Sequence, residues 1–106
     1  MNRPHITLAL PVYNEEASIV AVLDQCVAAL TALHPSWEIL VVDNASSDST
    51  LQQVNNYAAV RPNVRWVSHE ENRLYSGSCA TVLANAHGQF IAIMDSDGQM
   101  DPADIP

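Results

Sequence analysis

The chain has 106 residues, 48% of them apolar, and a formal net charge of −8. That is room for one domain with a single modest core, and too apolar for a disordered segment. The acidic balance excludes a non-specific nucleic-acid binder, and the absence of lysine excludes a Walker-type phosphate loop and a Schiff-base enzyme.

The first apolar run, "HITLALPVY" (5–13), predicts a strand on Ile6, Leu8 and Leu10. Asn14 follows as a candidate N-cap, with Glu15 and Glu16 suited to the positive end of a helix. Ile19, Leu23, Val27, Leu30 and Leu33 then recur at steps of three and four, which predicts one buried helix face ending before Pro35. "WEILVVDN" (37–44) predicts the second strand. A second helix is expected from about 49 to 60, capped by Ser47 or Asp48, with Leu51, Val54 and Tyr57 or Ala58 inward and Pro62 beyond it. "VRWVSHE" (64–70) predicts the third strand, residues 77–87 a third helix stopped by Gly88, and "QFIAIMDSD" (89–97) the fourth strand. The second and fourth runs are almost continuously apolar, as in strands covered on both sides. The alternation of strands and helices predicts an α/β fold: a Rossmann-like, mostly parallel four-stranded sheet with helices on both faces.

Cys26 and Cys79 both fall in predicted helices without metal-ligand spacing, and are read as reduced, buried, small apolar residues. There is no apolar N-terminal run of signal-peptide character and no stretch approaching about 18–20 apolar residues. The chain is therefore expected to be soluble and cytoplasmic, with membrane association left open for a longer protein.

Ligands of such sheets bind beyond the carboxyl ends of the strands, and polar residues gather there. They are "PVYNEE" (11–16), "VVDNASSDST" (41–50), "SHEEN" (68–72) leading into "RLYSGS" (73–78), and "MDSDGQM" (94–100). Taken singly, Asn14 to Glu16 serve equally as a helix cap, and 43–50 as a turn with a cap. Glu70 and Glu71 suit a solvated loop, and Gly77 a hinge. His5, His34, His69 and His87 share no ligand spacing and are assigned no chemistry. Asp95 and Asp97 are different. Two carboxylates at the end of an apolar strand repel each other, and burial raises their pKa values. A magnesium or manganese ion removes both difficulties, accepts oxygen ligands and leaves positions for phosphates. It would also cancel the repulsion between this acidic chain and an anionic nucleotide.

Taken together, these segments resemble the inverting family 2 glycosyltransferases, which have the GT-A fold. "LPVYNEEASI" looks like the first-strand motif of that family. "EILVVDNASSDST" is similar to its second motif, usually V-V-D-D-G-S-x-D-x-T. "NRLYSGSCATVLANAHGQFIAIMDSDGQMDPADIP" is similar to its run of glycine, helix, strand and D-x-D. Within the family, Asp95-Ser96-Asp97-Gly98-Gln99 followed by Asp101-Pro102 resembles the polyprenyl-phosphate sugar transferases of the dolichol-phosphate mannosyltransferase type. The resemblance implies that Pro11, Tyr13 and Glu15 line the base and ribose pocket, that Asp43 contacts the base and that Asp48 braces the adjacent loop. It implies that Gly77 and Ser78 let backbone approach the nucleotide. Asp95 would serve ribose or metal, Asp97 would bind the metal, and Gln99 would complete its shell, with Mg2+ or Mn2+ as the ion. Asp95 and Asp97 are thus the implied catalytic pair. The implied reaction is metal-dependent inverting transfer from a UDP- or GDP-linked sugar to a lipid phosphate or a sugar hydroxyl.

The sequence departs from the pattern at Asn44 and Ala45, which replace an aspartate and a glycine, and at Ser76 to Cys79, where glycines are usual. It is also about half the length such a catalytic domain needs, so residues 1–106 are expected to be the N-terminal, donor-binding half of a larger domain. An open outer edge on the fourth strand would favour self-association. Two other enzyme classes share parts of the pattern. A haloacid dehalogenase-type phosphohydrolase also ends a strand in D-x-D-G, but places it early in the chain. A dinucleotide-binding Rossmann domain needs glycines after its first strand, and "PVYNEE" has none. A non-catalytic nucleotide-binding module is the remaining alternative.

Overall fold

The sequence pattern places β-branched and apolar residues in four short runs, and these are the strands of the sheet. In a computed structural model describing residues 5–33, 36–69, 85, 87 and 90–93, the elements run in order. They are β1 (Ile6–Val12), α1 (Ile19–Leu33), β2 (Trp37–Asp43), α2 (Thr50–Ala59), β3 (Val64–Ser68) and β4 (Phe90–Ile93). All pairings are parallel and the spatial order is β3-β2-β1-β4. The chain thus steps outward from β1 through β2 to β3, then returns to the other side of β1. The register aligns Val12 with Asp43 and Asp43 with Ser68, so the exits of β1, β2 and β3 lie in one row. β4 joins on the other flank, with Ile93 opposite Ala9.

Period-two alternation decides which side chains each face receives. Ile6, Leu8, Leu10 and Val12 of β1, Ile39 and Val41 of β2 and Val64 of β3 form one continuous core with Ile19, Val22, Leu23, Cys26 and Leu30 of α1 and Val54 and Tyr57 of α2. Both described helices therefore cover the same face. Leu8, Leu10, Leu23 and Ile39 are fully buried, and each such side chain contributes roughly 1.5–3 kcal/mol on leaving water. Ala9, Leu40 and Val42 on the opposite face are also fully buried, with Val67 and Ile93 packed against them. The predicted third helix (77–87) falls largely outside the described residues. No described helix is long and apolar enough to cross a membrane.

The helix expectations need three adjustments. The buried stripe of α1 is rotated from the predicted one: Val22 and Cys26 point inward, Val27 is only partly buried and Leu33 is 44% exposed. Burial raises the Cys26 thiol to about 12, which fits an inert, reduced cysteine. Cys79 lies outside the described residues. Asn14 does not cap α1, because the chain first makes a turn in which Glu15 O accepts from Ser18 N–H (3.0 Å) and Ile19 N–H (2.9 Å). The N-cap of α2 is Ser49, whose side chain makes no capping bond. The neighbouring Asp48 Oδ1 accepts from Thr50 N–H instead, at 2.9 Å.

At the amino end of the sheet a buried glutamate ties four segments together. Glu38 accepts from the Thr7 hydroxyl (2.6 Å), from Arg65 Nε (2.9 Å) and from His87 N–H (2.7 Å), while Arg65 also donates to Asn85 O (2.7 Å). The cluster joins β1, β2 and β3 to the segment that leads into β4. Burial, the largest influence, raises the Glu38 carboxyl. The bonds from Arg65, Thr7 and His87, with the Arg65 charge, together outweigh it and hold the group below its usual value.

Candidate functional site

At the opposite, carboxyl end, the loop leaving β1 and the loop leaving β2 are laced together. Asn14 stands at φ 52°, a left-handed conformation that asparagine tolerates. Its N–H donates to Ser46 Oγ (2.9 Å), and its Oδ1 accepts from Ser47 N–H (2.8 Å) and the Ser47 hydroxyl (3.3 Å). Glu15 N–H donates to Thr50 Oγ1 (2.8 Å), Glu16 N–H donates to Asp48 Oδ2 (3.3 Å), and Glu16 Oε2 accepts from Ser49 N–H (3.0 Å). The Thr50 hydroxyl donates in turn to Asp48 Oδ1. Partial burial raises the Asp48 carboxyl, and the bonds it accepts from Thr50 and Glu16 more than offset that, leaving it lowered. Asp48 thus receives bonds from Glu16 after β1 and from Thr50 at the start of α2.

Asp43, the last residue of β2, is 1% exposed. Its Oδ2 accepts from Ser46 N–H at 3.3 Å, and its Oδ1 is buried with no hydrogen-bond partner. Buried polar atoms are nearly always paired, so an orphaned carboxylate oxygen needs an explanation. The backbone around it is held on both sides. Asn44 N–H donates to Val12 O and His69 N–H donates to Asp43 O, both at 2.9 Å. The side chains of Asn44 and His69 also meet, with Nδ1 and Oδ1 3.0 Å apart in a buried setting. An amide oxygen accepts only from a protonated ring nitrogen, so this contact puts the ring proton on Nδ1.

Of the residues expected to line a site, Pro11, Tyr13, Glu15, Asp43 and Asp48 are described. All five lie at or just beyond the exits of β1 and β2. Tyr13 is 47% exposed, an aromatic face open at the mouth of that end. Gly77, Ser78, Asp95, Asp97 and Gln99 lie outside the described residues. Among the described residues, no group of three or more His, Cys, Asp or Glu side chains could hold a metal ion.

Comparison with known proteins gives this arrangement a place. Residues 7–106 match the family described as Glycosyl transferase family 2. The chain belongs to that family. Among curated relatives, the dodecaprenyl-phosphate galacturonate synthase of Rhizobium johnstonii is 32% identical over 95% of this chain and 30% of its own length. The undecaprenyl-phosphate 4-deoxy-4-formamido-L-arabinose transferase of Aeromonas hydrophila is 34% identical over 95% of this chain and 31% of its own. Among solved structures, a mannosyltransferase from Pyrobaculum calidifontis in complex with GDP-Man and Mn2+ superposes with a TM-score of 0.78. It is 31% identical, over 92% of this chain and 28% of that one. The chain spans about three tenths of the length of these relatives. The fold is that of the GT-A family 2 glycosyltransferases.

Family membership clarifies two departures. Ala45, where the resemblance implies a glycine, stands at φ 64°, where a Cβ crowds the neighbouring carbonyl and costs roughly 1–2 kcal/mol. Ala45→Gly is expected to stabilise the chain by about 1 kcal/mol, the relief being partly offset by the greater freedom of glycine when unfolded. Urea unfolding would measure it, and a loss of stability would show that the loop is not strained there. Asn44, where the resemblance implies a second aspartate, meets His69. Ligand spacing among the four histidines does not single out His69. Its placement directly after an apolar strand, like Asp43 and Asn44, is the signal that could have found it.

Proposed function

We propose that this chain is the donor-binding half of a metal-dependent, inverting glycosyltransferase that transfers a sugar from a nucleoside-diphosphate sugar to a polyprenyl phosphate. The observation that carries the reading is the partnerless buried oxygen of Asp43, at the carboxyl end of the sheet, where parallel α/β sheets take their ligands. Pro11, Tyr13 and Glu15 line the base and ribose pocket, with the exposed ring of Tyr13 supplying a flat apolar surface. Asp43 accepts from the base, and Asp48 keeps the two pocket loops at a fixed separation. Gly77 and Ser78 admit the nucleotide to close backbone approach.

Asp95 follows Ile93 by two residues, and chain geometry keeps it within about 7 Å of that residue's Cα. Ile93 is itself paired with Ala9 of β1, and Asp95 and Asp97 follow it in the sequence. Asp97, with Asp95 and Gln99, offers the hard oxygen donors that Mg2+ or Mn2+ takes. When bound, the cation would offset the charge that develops on the departing diphosphate. Asp95 would also serve the ribose. A lipid phosphate acceptor is already anionic and needs little help from a general base, which agrees with the polyprenyl-phosphate enzymes among the relatives.

Titration calorimetry of this chain with UDP and GDP, with and without Mn2+, tests the reading. Nucleotide binding that strengthens with Mn2+ is the expected result. Failure of both nucleotides to bind in the presence of the metal would refute it.

A further inference from the structure

We propose that His69 is a positioning residue for nucleotide binding: the proton on its Nδ1, donated to Asn44 Oδ1, holds the exit of β2 in its binding geometry. The inference rests on the nucleotide-binding reading above and adds to it a residue that acts through its neighbour and not by touching the ligand.

The ladder of the sheet ends at Asp43, which has Val12 on one flank and Ser68 on the other. One backbone bond on each side carries the pairing a step further, Asn44 N–H to Val12 O and His69 N–H to Asp43 O. The chain then turns through Ala45 at φ 64°. From there the loop is fastened toward β1, where Ser46, Ser47, Asp48, Ser49 and Thr50 bond to Asn14, Glu15 and Glu16. Toward β3, the side chains of Asn44 and His69 meet. A loop tied firmly along one flank pivots about that flank, so the contact on the other flank decides where the exit of β2 stands.

The chemistry of the pair suits that task. Asn44 and His69 are each 7% exposed, so the bond is sheltered from water, and a buried acceptor that loses its donor is costly. The amide oxygen only accepts, and the bond it makes fixes the ring proton on Nδ1. The pair is also without negative charge. An aspartate at position 44 would set a second carboxylate beside Asp43, at the end of the sheet that has to receive an anionic diphosphate. The amide keeps the acceptor and leaves the charge out.

Three substitutions separate the two ring nitrogens. In His69→Asn the side-chain nitrogen stands where Nδ1 stood. In His69→Gln it stands at the place of Nε2, and His69→Phe keeps a ring without either. Calorimetry with UDP and GDP in the presence of Mn2+ is expected to leave His69→Asn within about twofold of the unaltered chain, and to show losses of about tenfold in His69→Gln and His69→Phe. Urea unfolding should rank the variants differently, because asparagine leaves a cavity that phenylalanine fills. Undiminished affinity in His69→Phe, or affinities that follow stability and not the donor at the Nδ1 place, would overturn the proposal.

If the variants do not fold, nitrogen NMR of the unaltered chain decides. His69 is expected to carry its proton on Nδ1, and nucleotide with Mg2+ is expected to slow the exchange of that proton with water. A neutral ring protonated on Nε2, or an exchange rate that a bound nucleotide leaves unchanged, would overturn the role of His69 and leave the nucleotide reading standing. Failure of both UDP and GDP to bind the unaltered chain would remove the nucleotide reading and this inference with it.

Discussion

Asp97→Ala is expected to abolish the effect of Mn2+ on donor binding and to lower sugar transfer by roughly a hundredfold or more. The reason is electrostatic. A net charge of −8 repels a nucleoside diphosphate, and the chain has no lysine to offset its phosphates. The four arginines are Arg3, Arg61, Arg65 and Arg73. Of these, Arg65 is committed to Glu38 at the far end of the sheet, and Arg61 lies 3.7 Å over the Tyr57 ring on α2. Among the described residues no arginine is left for the diphosphate, a bound cation would supply positive charge there, and no described cluster of side chains could hold it. Affinity for UDP and GDP would be measured with and without Mn2+ in the chain, and transfer to a polyprenyl phosphate in a protein that includes the acceptor-binding part. Asp97→Asn keeps the shape and removes the charge, so it should match the alanine variant. An undiminished response to Mn2+ in either one, with the fold retained, would end the metal assignment.

Glu38→Leu is expected to destabilise the chain by about 3 kcal/mol or more. The substitution adds apolar volume at a buried position but leaves the Thr7 hydroxyl, Arg65 Nε and His87 N–H without the acceptor they share. Glu38→Gln keeps one acceptor oxygen and should cost less. The same cluster sets a direction for pH. The Glu38 carboxyl lies lower in the folded chain than its ordinary value of 4.5. Its contribution is therefore complete above the unfolded value and is lost as pH falls through the lowered folded one. Urea midpoints across the acid range would show wild-type stability falling while Glu38→Leu changes less. Parallel curves for the two proteins would show that the carboxylate is not the responsible group.

Much of the fold was legible because its strands are written in two different ways. Residues 38–43 and 90–93 read as strands through nearly unbroken apolar content, and β1 through the alternation of Ile6, Leu8 and Leu10. The start of α1 was not legible. Asn14 has the chemistry of a cap, but its side chain is claimed by Ser47, more than thirty residues away. Local propensity carries no record of that competition. The rotation of the α1 stripe, which buries Val22 and Cys26 and releases Leu33, is likewise set by where α2 and the sheet lie. In the site, Asp43 and Asp48 stood out by type and position. The pairing of Asn44 with His69 did not, since it depends on β3 lying beside β2, and strand order is not written in any one segment. Glu38 was invisible for a similar reason: a glutamate beginning a strand looks solvent-facing until Arg65, Thr7 and the chain before β4 converge on it.

The lacing between the loop after β1 and the loop after β2 bears on how the pocket comes into being. Its bonds join residues 32 to 35 positions apart, so none can close until β1, α1 and β2 have docked as a unit. Neither loop can then fray alone without releasing the other, and amide protection in the two should rise and fall together. A nucleotide touching only one of them would slow hydrogen exchange across both, and its binding would be felt as cooperativity of the whole βαβ unit.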